Sequence, residues 1–287
     1  MILITPKAGP QKQRARSMRK DKKHRLVLTA ILGVGVAALP GAPSAVQAST
    51  YYVATTGSDK ARGTIGSPWL TIGKAAKTLT VGDTVYVRCG TYCEFVRFSA
   101  SGTSNQPIRV LAYSNEVAII DGQRLGGYLG LGTNKTTGSK AFLDVDAWAN
   151  YVTLSGFTPR NGSVGISSKG ANAVIRNMTS SNMWQHGILV GGDNSLVENN
   201  TVSRASLANN LAVGIDAPNM NFVPEHPLTR QITIRGNTVS YIGKGEGILT
   251  WMTDGTIIEN NVVYDCGAEN IYISDARNTV CRYSLSY

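Results

Sequence analysis

Nowhere does this chain of 287 residues hold an apolar run long enough to cross a bilayer. The longest, Leu26 to Leu39, has fourteen residues, whereas a spanning helix needs about 20, so no membrane insertion of the mature chain is expected. An excess of basic charge is also missing from most of the sequence. The formal +10 is concentrated in residues 1–48, which hold nine of the 28 Lys and Arg and one of the 18 acids, and the remaining 239 residues carry only +2. That near-neutral balance removes the electrostatic basis for a nucleic-acid partner. Leucine-rich spacing is absent, and no repeat contains a helical segment.

The basic stretch of Arg19, Lys20, Lys22, Lys23 and Arg25 runs into Leu26–Leu39 and then into small residues from Pro40 to Ala48. This order is that of an export signal, with Val46 and Ala48 three residues and one residue before the cut. Residues 1–48 are therefore expected to be removed, with Met18 an alternative start, and the mature chain to be secreted, extracellular or periplasmic. Residues 49–287 are enough for one domain with a substantial core.

Internal repetition is the strongest positive signal. Tyr151-Val-Thr-Leu154, Ala173-Val-Ile-Arg-Asn-Met178, Ser195-Leu-Val-Glu-Asn-Asn200, Ile232-Thr-Ile-Arg-Gly-Asn237, Thr256-Ile-Ile-Glu-Asn-Asn261 and Thr279-Val-Cys-Arg-Tyr-Ser284 are copies of one unit. Leu154, Ile175, Val197, Ile234, Ile258 and Cys281 follow one another at gaps of 21, 22, 37, 24 and 23. A second series, Ile166, Ile188, Ile215, Ile248 and Ile271, follows Gly165, Gly187, Gly214, Gly247 and Asn270. Short alternating runs rich in Val, Ile and Thr favour strands. A unit of about 22 residues with three such runs buries its apolar face only by stacking on its neighbours. The predicted architecture is all-β, a solenoid of three-strand coils, with Asn200, Asn237 and Asn261 at equivalent corners bonding from coil to coil.

The four cysteines fall into two pairs. Cys89 and Cys93 flank Gly90-Thr91-Tyr92, where a local disulfide and two separate thiols are both open. Cys266 and Cys281 occupy positions that other repeats fill with Met183, Ala205 and Ile242, or with Ile175, Val197, Ile234 and Ile258, and are expected as buried structural thiols.

At these repeats the chain resembles the pectate-lyase-like superfamily of right-handed parallel β-helices. The amino-terminal block also resembles that superfamily: Tyr51-Tyr-Val-Ala-Thr-Thr-Gly-Ser-Asp59, Ser67-Pro-Trp-Leu-Thr-Ile-Gly-Lys-Ala-Ala76 and Gly82-Asp-Thr-Val-Tyr-Val-Arg88. There Thr71 is a plausible N-cap, and Ile72, Ala75, Ala76 and Leu79 share one helical face. The short helix so formed would cap the first coil. At the other end Cys281–Tyr287 enters a new coil without a cap, so the chain reads as part of a longer protein.

The resemblance implies a substrate groove along the strands of the Gly–Ile series. About five extra residues in the Arg204–Leu211 loop and ten around Pro218–Arg230 flank one of these strands, Val213-Gly-Ile-Asp-Ala217, and long loops on a regular scaffold often carry function. Alternation turns Ser167, Leu189, Asp216, Leu249 and Tyr272 outward, with Asp216 the carboxylate of that row. His186, Glu246 and Glu269 stand near the starts of the strands, with Trp184, Lys244 and Trp251 close by. Each alone is compatible with a solvated acid or a packed ring.

Together these residues suit a lyase of acidic, uronate-containing polysaccharide. Lys244 or His186 would serve as base, and Asp216 with Glu246 as oxygen ligands for a metal such as calcium. Trp184, Arg204, Trp251 and Tyr272 would contact sugar. A hydrolase would instead use Glu246 and Glu269 on adjacent coils, and a non-catalytic polysaccharide-binding or cell-surface module is the other alternative. The paired-Asp and Gly-His-Gly motifs of polygalacturonases and the Arg-x-Pro-x-x-Arg motif of the main pectate lyases are absent.

Overall fold

The computed structural model describes residues 47–123, 141–146, 148–207, 212–219 and 228–287. Among them the strands form a parallel β-helix with three long sheets. Each complete coil runs through the three sheets in turn, as in Val174–Arg176, Thr179–Met183 and Ile188–Val190. All the strand pairs within the three sheets are parallel, because every strand meets the copy of itself one coil away.

The first sheet carries the predicted inward file. Leu154 pairs with Ile175, Ile175 with Val197, Val197 with Ile234, Ile234 with Ile258 and Ile258 with Cys281. From Leu154 to Ile258 these side chains are at most 1% exposed. Cys281 is in register yet exposed, and Cys266, opposite Ile242, is only half-buried. Their registers hold, but the expected burial does not: no described strand lies above Val280–Arg282, and the strand above Val262–Cys266 pairs only with Val262 and Val263. Cys89 and Cys93 are separate thiols. The strand Gly90–Tyr92 between them holds its flanking residues on the order of 10 Å apart, beyond the reach of a disulfide.

At the corner between the first and second sheets, Asn177, Asn199 and Asn260 take left-handed backbone angles, with φ of 54°, 54° and 55°. Asparagine tolerates that region, and Gly156 and Gly236 take positive φ at the equivalent places, so successive coils turn tightly at the same corner. The residues that follow make the predicted ladder. The Nδ2 of Asn200 donates to Oδ1 of Asn237 at 2.9 Å, and the Nδ2 of Asn237 to Oδ1 of Asn261 at 3.0 Å. All three side chains are buried, so the ladder satisfies amides that would otherwise oppose folding.

The amino-terminal helix spans Ile72–Thr78, with the Thr71 hydroxyl accepting from the Lys74 amide at 3.0 Å. Ile72, Ala75 and Leu79 are buried, Ala76 partly so, and the helix packs against the strands Val96–Phe98 and Thr50–Val53. Glu94 reaches back to accept from the Ile72 and Gly73 amides at 2.8 and 2.9 Å, completing the cap from a distant loop.

Candidate functional site

The third sheet holds the Gly–Ile series in one register: Ile166 opposite Ile188, then Ile215, Ile248 and Ile271. Its glycines are set by packing. A Cβ on Gly187 would stand 2.3 Å from Val202 Cγ1, and one on Gly214 would stand 2.6 Å from both Val239 Cγ1 and the Gly247 carbonyl. Glycine at this corner lets the coil close onto its own core.

One residue further on, the outward row runs Ser167, Leu189, Asp216, Leu249 and Tyr272, as the alternation predicts. The row also extends backward to Asp144 and Arg97, so Asp216 is not its sole carboxylate. The alternation of Ala141–Val145 carried that signal. Outward direction does not mean exposure either, since only 9% of the Asp216 side chain reaches solvent.

His186 lies one coil below Asp216, with its Nδ1 3.4 Å from Asp216 Oδ2. The same Nδ1 accepts the Val213 backbone N–H at 3.2 Å. That bond requires a lone pair on Nδ1, so the ring proton sits on Nε2 and the pair is not an ordinary ion pair. Burial pushes the imidazole down to about 4. Burial also pushes the Asp216 carboxyl up to about 7, assisted by the negative charge of Glu246 on the next coil. Asp216 Oδ1 is buried with no hydrogen-bond partner among the described residues. Three coils thus converge on a carboxyl balanced between its two protonation states beside a neutral imidazole of fixed tautomer. The Val213 amide that fixes it is a backbone group, which a reading of side-chain types does not reveal.

The other predicted residues are spread around this centre. Glu246 and Glu269 occupy equivalent positions on adjacent coils, their carbonyls accepting from Gly214 and Gly247 at 3.0 and 2.9 Å. Glu246 is half-buried and Glu269 exposed. Lys244 and Arg204 are exposed at the corner leading into the third sheet, where the Lys244 amide donates to the Ser206 carbonyl at 3.1 Å. Trp184 and Trp251 are half-buried, and the Trp251 Nε1 donates to Asp275 at 3.2 Å. Tyr272 is 42% exposed at the upper end of the row. Much of both predicted insertions, residues 208–211 and 220–227, lies outside the described residues.

Calcium takes six to eight oxygens. Asp216 and Glu246 are two carboxylates, one Asp216 oxygen faces an imidazole nitrogen, and no group of three or more His, Cys, Asp or Glu suited to a metal occurs among the described residues. These two carboxylates do not by themselves fit a calcium cage.

Residues 51–221, more than half of the chain, match the Pel9A-like right-handed β-helix region, and residues 164–287 match the general right-handed β-helix region. Pectate lyase PEL9 of Emericella nidulans is 32% identical over 155 residues, covering 53% of this chain and 38% of its own length. The chain therefore spans well under half of that curated relative. In structure, pectate lyase Pel9A superposes with a TM-score of 0.61 at 18% identity, covering 77% of this chain and 55% of its own. XylC, solved with xylose, gives 0.59 at 15% identity over 82% of this chain and 66% of its own. At such identities the superpositions speak to fold alone, a right-handed β-helix. The profile match over most of the chain, joined to the coil geometry, makes this protein a member of the Pel9A-like right-handed β-helix family.

Proposed function

We propose that the chain is an exported lyase of uronate-containing polysaccharide, its first 48 residues a removable leader, with the reaction centre at Asp216, His186 and Glu246. The observation that carries this reading is the pairing of a buried carboxyl held near neutrality with a neutral imidazole, on the outer face of the Gly–Ile sheet. A lyase removes the proton on the carbon α to the uronate carboxylate and then breaks the β carbon–oxygen bond of the glycosidic link, leaving a carbon–carbon double bond.

Ionised Asp216 suits the first step, because a base works best with a pKa near the operating pH. His186 does not suit it, since its Nδ1 is occupied and its basicity depressed. Its Nε2–H instead suits donation to the carboxylate on which negative charge accumulates. Exposed Lys244 and Arg204 supply cations for the uronates, and Tyr272 and Trp251 supply rings for sugar faces.

Incubation with pectate, alginate and glycosaminoglycans, followed by the ultraviolet absorbance of unsaturated uronate, tests the reading. Asp216→Asn should lower turnover by about 10²–10⁴, and Lys244→Ala should mainly raise KM. The stacked positions of Glu246 and Glu269 support a second reading. Adjacent coils lie about 5 Å apart, the spacing of a retaining hydrolase pair. Release of reducing ends without unsaturated product would favour it, and glycan retention without any cleavage would favour a binding module.

A further inference from the structure

The strand that opens the first sheet begins beside a carboxylate unusually placed for a surface acid. Asp83 is only 2% exposed. Its Oδ2 accepts the amide and hydroxyl of Thr80 at 2.8 and 3.0 Å, and its Oδ1 accepts the backbone nitrogen of Ser49 at 2.7 Å. The Ser49 carbonyl in turn accepts the Thr84 amide at 2.9 Å, so Ser49 is held on both sides of its peptide unit. All three donors to Asp83 are neutral. Among the described residues no ion pair includes it. A buried carboxylate without a counter-charge is costly to fold around.

We infer that hydrolysis of the Ala48–Ser49 bond supplies this missing charge, and that Asp83 is the receptor for the mature amino terminus. The inference rests on the export reading above. Water adds across the peptide bond, the Ala48 carbonyl carbon becoming a carboxylate and the Ser49 nitrogen an α-ammonium, through a leader-removing endopeptidase. The nitrogen that donates to Asp83 in the uncut chain then carries a full positive charge on a 2.7 Å contact. A charge-assisted bond of this kind is about twice as strong as its neutral counterpart. Maturation thereby fastens the first strand to the Thr80–Thr84 turn, at the end of the first sheet, where Thr84–Val87 is its neighbouring strand.

The test has two arms. Amino-terminal sequencing of exported protein should begin at Ser49. The chain beginning at Ser49 is then compared with the same chain selectively acetylated on its α-amine, each with Asp83 and with Asp83→Asn. Acetylation should lower Tm by about 2–4 °C with Asp83 present and leave Tm unchanged in the D83N chain. Should D83N fail to fold, the Ser49 α-amine of the wild type is titrated through its acylation rate and should lie above the ordinary range of about 7.7–8.0. Retention of Arg19, or a start elsewhere, overturns the export site and the receptor together. A start at Ser49 with an unshifted amine, or with equal acetylation effects in both backgrounds, overturns the receptor and leaves export standing.

Discussion

Removing either member of the His186–Asp216 pair should convert a flat pH profile of stability into two opposed slopes. In the folded chain Asp216 keeps its proton up to about 7, and His186 stays neutral down to about 4. Unfolded, the two groups return to 3.8 and 6.5. Between about pH 4 and 6.5 the unfolded pair therefore holds one proton on the imidazole, and the folded pair holds one on the carboxyl. Equal proton counts give no linkage slope. Taken singly, the raised Asp216 contributes most below 3.8 and loses that contribution as pH climbs to about 7. The depressed His186 contributes most above 6.5 and loses it as pH falls to about 4. Asp216→Asn leaves the imidazole alone, so stability should rise with pH across this window. His186→Gln leaves the carboxyl alone, so stability should fall. Each slope is about 1.4 kcal/mol per pH unit at most, which separates the two variants by several kcal/mol across the window. The side chains are 9% and 15% exposed, so solvent screening takes little from this. Urea unfolding of the wild type and both variants at three pH values within the window reads the slopes directly. Parallel profiles for the two variants, or a steep wild-type profile, would refute the assignment of the proton.

Asn237→Ala should cost about 3–5 kcal/mol in urea unfolding, because it breaks four buried hydrogen bonds, to Asn261 Oδ1, the Val197 carbonyl and both Asn200 nitrogens. Exposed Thr201→Ala, on the neighbouring strand, should stay within about 0.5 kcal/mol, and equal losses would discount the ladder. Val197→Asp, an unpaired charge in a fully buried file, should prevent folding to the native circular dichroism spectrum. Gly214→Ala should lose about 1–3 kcal/mol in thermal or urea melts, since its Cβ would meet backbone and side-chain atoms at 2.6 Å.

The core of the solenoid was legible because each inward position recurs. Leu154 through Ile258 announces one file whatever happens between the strands, and the same holds for Ile166 through Ile271. The asparagine ladder was legible for the same reason, a residue type repeated at one corner. The site was legible only as candidates. Alternation put Asp216 on the outer face, yet burial depends on what surrounds that face, and a period-2 pattern contains no such information. Residue type makes His186 a candidate base, whereas the bond its Nδ1 accepts comes from the Val213 amide, 27 positions away, which residue type does not show. The cysteine expectation failed differently. The register placed Cys281 correctly, while its exposure depends on whether another coil covers it.

The convergence at Asp216 has a structural cause in how the solenoid absorbs extra residues. The gap from Val197 to Ile234 is 37 positions, yet the two still pair directly, and Ile215 still faces Ile188 below and Ile248 above. Register is held by the inward files and the Asn200–Asn237–Asn261 ladder, so the extra residues in the gap do not displace the strands on either side of it. His186, Asp216 and Glu246 come from three successive coils, and no single repeat contains more than one of them. Any one coil therefore presents an isolated, ordinary polar residue, and the chemistry proposed for the site would arise only from their stacking. The same stacking couples the site to the core. A fault in the ladder that shifted one coil would separate Asp216 from both partners at once, while leaving every individual side chain of the site intact.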